Sequence, residues 1–362
     1  MDKLFFELLQ VAIGKRTSFS IIPTTDDWDN LYSYALRQTL LGVCFYGIQN
    51  LPKEQVAFFP LPLKMHWLGT VGQIQKRNGL IDQRCIELQE TLSNAGFRTY
   101  IMKGQGNAML YGKDLCSLRQ SGDIDIYLEG GYEKVIDYVN RTFPTKEVNE
   151  LEIHYHCFKD TEVEIHYKPF VMDGPKDKIL QRFFAEEAEK CFTNKISLPQ
   201  GEICTPTCVF NLVHQLVHIH HHLFYEGIGL RQLMDYYFVL KDANESKIDI
   251  ARAKNTISSL GLTRFASALM WVLEEVFGLN KEQMLWTPNE KDGTFLLHEI
   301  MCSGNFGQSD KNLKGIYQSK WKSFWFVHSK TFRYWRFDNW AWFWSPIYRI
   351  RGFAWRKMNG YK

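Results

Sequence analysis

The sequence predicts an α+β fold in which a small mixed β-sheet lies between two helical regions. Two segments near the middle of the chain, 123–128 and 161–167, alternate apolar and polar residues as half-buried strands do. The segments before and after them carry apolar residues at helical spacing. The chain has 362 residues, 45% hydrophobic and 23% charged, which is the composition of a globular protein with a large core.

Residues 1–95 form the predicted N-terminal helical region. The first segment, MDKLFFELLQVAIGK, is expected to be an amphipathic helix and not a signal peptide, because acidic residues interrupt its apolar run. Thr25 begins a second predicted helix, since two aspartates follow it and acids stabilise a first turn. A long helix is expected from about Lys64 to Asn94 and should pack on the sheet.

Residues 96–170 form the predicted αβ core. Tyr100-Ile101-Met102 is a short apolar run typical of a buried strand. The next strand runs from Asp123 to Leu128, and a helix from Tyr132 to Arg141 follows it. The last two strands are predicted to form a hairpin over Lys159-Asp160, from segments 152–158 and 161–167.

Acidic residues share one face of the two predicted central strands. Asp123 and Asp125 point the same way, because successive side chains of a strand point to opposite faces. Two neighbouring carboxylates on a buried strand repel each other unless a cation lies between them. Glu162 and Glu164 also share a face, and either can supply a third carboxylate. Hard oxygen ligands of this kind suit Mg²⁺, with Mn²⁺ as the alternative ion.

These residues occur in an order that resembles a known superfamily. Lys103-Gly104, then Arg119, then Gly-Asp-Ile-Asp at 122–125 and Val-Glu-Ile-His at 163–166 resemble the DNA polymerase β-like nucleotidyltransferases. Within that superfamily the pattern is similar to that of a poorly characterised bacterial family. The resemblance implies a small mixed sheet of the polymerase β-like type. One departure is Gly104-Gln105, where the superfamily has Gly-Ser or Gly-Gly.

The resemblance also implies a reaction. Asp123, Asp125 and Glu164 would hold two Mg²⁺ ions, and the protein would move an NMP from an NTP to an acceptor hydroxyl with release of pyrophosphate. The acceptor is open among an RNA end, a protein, a sugar and a small molecule. The alternative is a catalytically silent nucleotide- or RNA-binding protein that kept the fold, and Gln105 motivates it.

Several further residues are candidates for nucleotide binding. Lys103 either binds phosphate, with Gly104 admitting backbone N–H groups to the triphosphate, or is a solvated lysine at the end of a strand. Arg119 and Ser121 either contact phosphate or offset the carboxylate charge. The histidines next to the acids either contact phosphate or cap the sheet: His154, His156 and His166.

Residues 171–290 form a predicted helical domain over the active site. Its histidine-rich segment, 209–240, places His218 in the nucleotide or acceptor pocket. The histidines at 214, 218 and 222 step by four, which also permits a zinc site, but Gln215 replaces the glutamate of the H-E-x-x-H protease motif. Arg231 and Asp235 either line the cleft, as the resemblance implies, or form an ion pair within one helix.

Residues 291–362 form a predicted basic, aromatic-rich C-terminal region. Between Lys311 and Lys362 the sequence has 12 Lys or Arg residues, one acidic residue and seven of the eleven tryptophans. This region either packs as a helical subdomain, stacks on nucleic acid bases or lies on an anionic membrane surface.

Cysteine usage and hydropathy bear on the location of the protein. The eight cysteines include no C-x-x-C pair, which favours reduced thiols. No stretch approaches the roughly 18 apolar residues of a membrane span. The sequence therefore predicts a cytoplasmic protein, which is peripheral at the membrane if the C-terminal region binds lipid.

Overall fold

The computed structural model describes residues 2–303 and 320–361 and has the predicted α+β architecture, with a small mixed sheet enclosed by helices. Residues 304–319, which are part of the predicted basic C-terminal region, lie outside the described residues.

The N-terminal region is helical, as predicted. Its four helices are α1 (Asp2–Ala12), α2 (Thr25–Arg37), α3 (Leu41–Gln49) and α4 (Leu61–Asn94). Helix α2 begins with a capping box, in which the Thr24 side chain accepts from the Asp27 N–H and the Asp27 carboxylate accepts from the Thr24 N–H. Helix α4 buries Ile81, Cys85 and Leu88 in the apolar cluster beneath the sheet, which confirms its expected packing.

Four strands form the central sheet: β1 (Thr99–Ile101), β2 (Ile124–Leu128), β3 (Glu152–His154) and β4 (Val163–His166). Their order is β1-β2-β4-β3. Strands β2 and β4 are parallel, whereas the β1–β2 and β3–β4 pairs are antiparallel, so the predicted hairpin is confirmed with shorter strands. The register places Asp125 opposite Glu164.

Two helices connect the strands, the short α5 (Gln105–Ala108) after β1 and α6 (Gly131–Thr142) after β2. Helix α6 covers the side of the sheet that faces away from the carboxylates. Its buried Val135 and Val139 belong to the same apolar cluster as Ile126 of β2. The β2 strand is therefore apolar on one face and acidic on the other.

The region after the sheet is mostly helical, with α7 (Lys176–Cys191), α8 (Cys208–Tyr225), α9 (Leu230–Glu245), α10 (Ala251–Ser259), α11 (Thr263–Phe277) and α12 (Glu290–Ser303). The prediction that the domain at 171–290 is helical was wrong at one place. A separate hairpin of β5 (Lys195–Leu198) and β6 (Gly201–Cys204) follows α7. Pro199 and Gln200 form its turn, and proline there favours a turn over a continuing helix.

Two helices form the C-terminal part, α13 (Lys320–Arg333) and α14 (Asn339–Met358). Asp338 lies between them and caps α14, since its carboxylate accepts from the backbone N–H groups of Trp340 and Ala341 at 3.0 and 3.2 Å. The same carboxylate accepts from Lys176 Nζ at 2.9 Å and so ties this part of the chain to α7. No helix of the described residues has the length and hydropathy needed to cross a bilayer.

Candidate active site

Carboxylates from three strands converge on one face of the sheet. Asp125 of β2 is 4% exposed, and Asp123 lies exposed just before the same strand. Ligand atoms of Asp125, Glu164 and His166 lie within 4.8 Å of one another. Glu164 lines the cleft beside Asp125, whereas Glu162 is exposed outside it. The position of Glu164 in the cleft therefore favours it over Glu162 as the third carboxylate, a choice that the sequence left open.

His166 lies in the middle of this carboxylate cluster. Its Nε2 atom is 3.0 Å from Asp125 Oδ1 and 3.2 Å from Glu152 Oε2. Sequence reasoning missed Glu152 altogether. The predicted hairpin of β3 and β4 was the available signal for Glu152, because the antiparallel register of this hairpin pairs Glu152 with His166. The acidic side of the site therefore has four carboxylates, one more than the motifs indicate.

Lys103 supplies the positive charge that faces these carboxylates. Its Nζ atom lies 2.9 Å from Asp125 Oδ1 and 3.1 Å from His218 Nε2. Burial alone would lower the pKa of Lys103, but Asp125, Asp123 and Glu164 outweigh it and raise the pKa above its ordinary value. The interpretation of Lys103 as a solvated lysine at the end of a strand was wrong, since its ammonium group points into the cleft.

One lysine does not neutralise the cluster. Burial, together with the charges of Asp125, Glu152 and Asp123, raises the pKa of Glu164 well above its ordinary value. The charge of Asp125 also raises the pKa of Asp123. Burial would raise the pKa of Asp125 too, but Lys103 and His166 hold it well below its usual range. Further positive charge in the cleft would therefore be stabilising.

Arg119, in the loop before β2, and Asp235 of α9 form a buried ion pair. Arg119 Nε donates to Asp235 Oδ1 and Nη2 donates to Asp235 Oδ2, both at 2.7 Å. Tyr111 Oη donates to the same carboxylate at 2.7 Å. Of the two alternatives for Arg231 and Asp235, an ion pair within α9 is therefore wrong, because Asp235 pairs with Arg119. Arg119 likewise offsets Asp235 and not the strand carboxylates.

Arg231 keeps more of its hydrogen-bonding capacity than Arg119. Its Nη1 donates to the Gln120 carbonyl at 2.5 Å, while its buried Nε has no hydrogen-bond partner among the described residues. Burial and the neighbouring Arg119 charge lower the pKa of Arg231. Its side chain lines the cleft near Asp123. Arg231 is therefore the arginine of this site that is available for an anion.

Gly104 lines the cleft directly after Lys103, with a positive φ of 59° that favours glycine. The next side chain, Gln105, is buried and turns away from the cleft. Its amide donates to Asp82, and its carbonyl oxygen accepts from Ser121 Oγ at 2.6 Å. Ser121 also accepts from Arg119 Nη1 at 3.2 Å. Ser121 thus belongs to a network behind the cleft and does not line it.

Helix α8 forms the opposite wall with its histidines. His218 Nε2 and His222 Nε2 are 2.9 Å apart, and His222 Nδ1 is 2.7 Å from Glu226 Oε2. Burial lowers the pKa of His214 to about 3 and that of His218 well below its ordinary value, so these rings are neutral near pH 7. Among residues 2–303 and 320–361, both groups with metal-compatible spacing lie on the sheet and neither contains an α8 histidine.

The cleft between the sheet and α8 has a volume of about 300 Å³. Nine of the ten residues predicted for the site line it, and Ser121 is the exception. The nine are Lys103, Gly104, Arg119, Asp123, Asp125, Glu164, His218, Arg231 and Asp235.

An α+β fold with aspartates just before and on one strand, and a glutamate on its parallel neighbour, is the arrangement that the resemblance to nucleotidyltransferases implies. The chain belongs to the uncharacterised nucleotidyltransferase family, whose model matches residues 24–278. A solved structure, an antigenic nucleotidyltransferase-like protein from Paracoccidioides brasiliensis, is similar over 52% of this chain and 90% of its own, with 10% identity and a TM-score of 0.29. A search of the curated proteins finds no significant match.

Proposed function

We propose that this protein is a metal-dependent nucleotidyltransferase that moves an NMP from an NTP to an acceptor hydroxyl and releases pyrophosphate. The observation that carries the proposal is the convergence of Asp123, Asp125 and Glu164 beside Lys103 and Arg231 in one cleft. Membership of the family supports it. Assignment to the polymerase β-like superfamily, and to its bacterial branch, rests on the sequence motifs.

The donor set fits a divalent cation. Asp125 and Glu164 offer hard carboxylate oxygens. Burial and the neighbouring carboxylates raise the pKa of Glu164, and the Asp125 charge raises that of Asp123, so the cluster favours added positive charge. Asp123, Asp125 and Glu164 would hold Mg²⁺, for which we propose two ions, and the nitrogen of His166 makes Mn²⁺ an acceptable substitute. When bound, the metal supplies charge neutralisation at the α-phosphate and a lowered pKa at the acceptor hydroxyl.

The remaining residues of the cleft bind and orient the triphosphate. Lys103 and Arg231 bring two positive charges to the same side as the carboxylates, where phosphate oxygens need them. The contact of 3.1 Å between Lys103 Nζ and His218 Nε2 helps to fix the direction of the ammonium group. Because Gly104 has no side chain, the backbone N–H groups beside it can approach the triphosphate. Arg119 and Asp235 hold the wall of the cleft through their ion pair.

The test is a comparison of Glu164→Gln with Glu162→Gln. Both changes remove one carboxylate from adjacent positions on the same strand face, but only Glu164 lines the cleft. Purified protein is incubated with Mg²⁺, each of the four NTPs, total RNA and cell extract, and pyrophosphate release and label transfer are followed. Transfer should fall by about a thousandfold or more in Glu164→Gln and remain within about twofold in Glu162→Gln. Equal activity of both variants would contradict the assignment.

The label also identifies the acceptor, which we propose to be an RNA end, a protein, a sugar or a small molecule. Because such transfer requires NTPs and Mg²⁺, we place the protein in the cytoplasm. The labelled nucleotide that is consumed identifies the NTP.

A catalytically silent nucleotide- or RNA-binding protein is the second candidate. Gln105 favours it, because the position where the superfamily has serine or glycine carries a side chain committed to Asp82 and Ser121. Calorimetry with each NTP and Mg²⁺ separates the two functions. Tight binding that requires Lys103 and Arg231, without pyrophosphate release under any acceptor condition, would favour the silent binder.

A further inference from the structure

Helix α14 carries an exposed apolar stripe. Ile347 and Ile350 are 44% and 61% exposed, and the other members lie on the same helical face at intervals of about one turn, or about two turns before the last. At 1.5 Å per residue, the stripe from residue 340 to residue 358 is about 27 Å long. The members of this stripe are Trp340, Phe343, Ile347, Ile350 and Met358.

The opposite face of α14 is the one that attaches the helix to the protein. Ala341 and Ser345 are buried there. Trp344 packs against Gly174, where an added Cβ would lie 2.8 Å from the indole. Trp355 contacts Tyr132 with ring centroids 5.5 Å apart. Among the described residues, packing on the body of the protein therefore leaves the stripe exposed, and the stripe contributes little to folding.

Helix α13 extends the apolar surface. Its exposed Trp325 and Phe332 are seven residues apart, and Trp335 follows directly after the helix. Trp335 meets Trp342 of α14 with ring centroids 5.9 Å apart, which joins the two helices into one surface. Nine of the eighteen large exposed apolar side chains of the described residues lie between 325 and 358. Contiguous patches of this kind mark interaction sites.

The exposed charged side chains of α13 and α14 have one sign. Arg333, Arg351 and Lys357 are exposed next to it. Asp338 is the single acid between 320 and 362 and is buried beneath Lys176 and His220. Arg333 and Arg351 also pair with Glu299 and Glu150 on the body of the protein. The exposed side chains that α13 and α14 themselves contribute are therefore apolar and cationic.

We propose that α13 and α14 dock on an anionic lipid bilayer, with the α14 stripe inserted at the level of the headgroups and the cations against the lipid phosphates. Two aliphatic side chains and a methionine occupy the centre and end of the stripe. These side chains gain from burial in acyl chains, whereas base stacking on RNA uses aromatic faces. A second copy of the chain would bring two cationic surfaces together, which opposes self-association. The proposal does not depend on the reaction in the cleft.

Docking would place the mouth of the cleft beside the lipid surface. Lys330 Nζ of α13 donates to the carbonyl of Glu226, a cleft residue, at 3.1 Å. Arg351 of α14 lies 3.4 Å from Glu150, just before the cleft residues Leu151 and Glu152. The two helices therefore contact the rim of the cleft at both sides.

Vesicle flotation with the full chain tests the proposal. The variant Ile347→Glu/Ile350→Glu places two charges in the stripe. The matched control Leu36→Glu/Phe143→Glu makes the same charge change at exposed apolar positions on α2 and after α6. Circular dichroism and thermal melting check that both variants fold. The vesicles contain phosphatidylcholine alone or with phosphatidylglycerol at a ratio of about 7:3.

The wild type and the control should float with the anionic vesicles, and the stripe variant should bind at least about tenfold more weakly. Binding should also weaken with phosphatidylcholine alone and at about 0.5 M salt. Failure of the wild type to float, or equal flotation of the stripe variant, would overturn the proposal. It would also be overturned if the stripe mutations abolished RNA binding, or a dimer seen by light scattering, in a protein that does not bind vesicles.

Discussion

Breaking the buried ion pair between Arg119 and Asp235 should destabilise the protein strongly. Both residues are 5% exposed, and two parallel hydrogen bonds of 2.7 Å join them. Among the described residues, Arg119→Met leaves the buried Asp235 carboxylate with the Tyr111 hydroxyl as its one hydrogen-bond donor, and Asp235→Leu removes the carboxylate that pairs with the buried guanidinium. We expect each single variant to lower the free energy of unfolding by about 3–5 kcal/mol.

The double variant should be much closer to the wild type. Arg119→Met/Asp235→Leu removes both charges and fills the space with apolar atoms, so neither partner is left as an isolated ion. Its free energy of unfolding should lie within about 2 kcal/mol of the wild-type value, with Tyr111 losing one hydrogen bond at a cost of about 1–2 kcal/mol. The coupling energy of the cycle should therefore be several kcal/mol.

Urea denaturation followed by tryptophan fluorescence measures these differences. The matched control is the exposed pair of Arg141 and Asp137, whose side chains are 71% and 64% exposed. Arg141→Met should cost less than about 1 kcal/mol, since solvent screens a surface pair. If Arg119→Met costs no more than Arg141→Met, burial does not determine the energy of this ion pair and the reasoning fails.

Two further predictions concern packing and pH. Gly42→Ala should destabilise the fold by about 2–4 kcal/mol, because its Cβ would lie 2.3 Å from the Leu118 carbonyl oxygen. The control Gly69→Ala, whose Cβ would meet no atom within 4 Å, should be neutral or stabilising. Urea denaturation measures both changes. Burial lowers the pKa of His220 to about 4 despite the nearby Asp338. The His220 ring stays neutral in the folded protein, whereas in the unfolded chain it gains a proton below about pH 6.5, so the protein loses stability as the pH falls from 6.5 towards 4. The free energy of unfolding of the wild type relative to His220→Gln should therefore drop by about 1.4 kcal/mol between pH 8 and pH 5.5. A difference that stays constant over this range would contradict the assignment.

The elements whose periodicity is strong could be predicted from the sequence. Alternation predicted the central strands and the shared face of Asp123 and Asp125, and helical spacing predicted α2 and α4. The β5–β6 hairpin was missed, because each of its strands has only four residues and so shows little periodicity. Its Pro199 turn was the available signal.

The site could be predicted only where a local motif carries it. Lys103-Gly104, the Asp-Ile-Asp strand and Glu164 follow from short segments, and the structure brings them to one cleft. Glu152 could not be found in this way, because it reaches the site through its pairing with His166 on another strand. The direction of Asp235 was equally hidden, since two arginines lie within its reach.

The sequence by itself determined which face of each strand is acidic and which is apolar, because side-chain direction along a strand depends on residue parity alone. It also determined that the C-terminal region is cationic and aromatic. Only the tertiary structure decided which charges meet: Asp235 binds Arg119, 116 positions away, and Lys103 lies between Asp125 and His218. Such pairings depend on how separate elements pack, and the electrostatic energy that shifts the pKa values follows from those distances and from burial, neither of which is local in sequence.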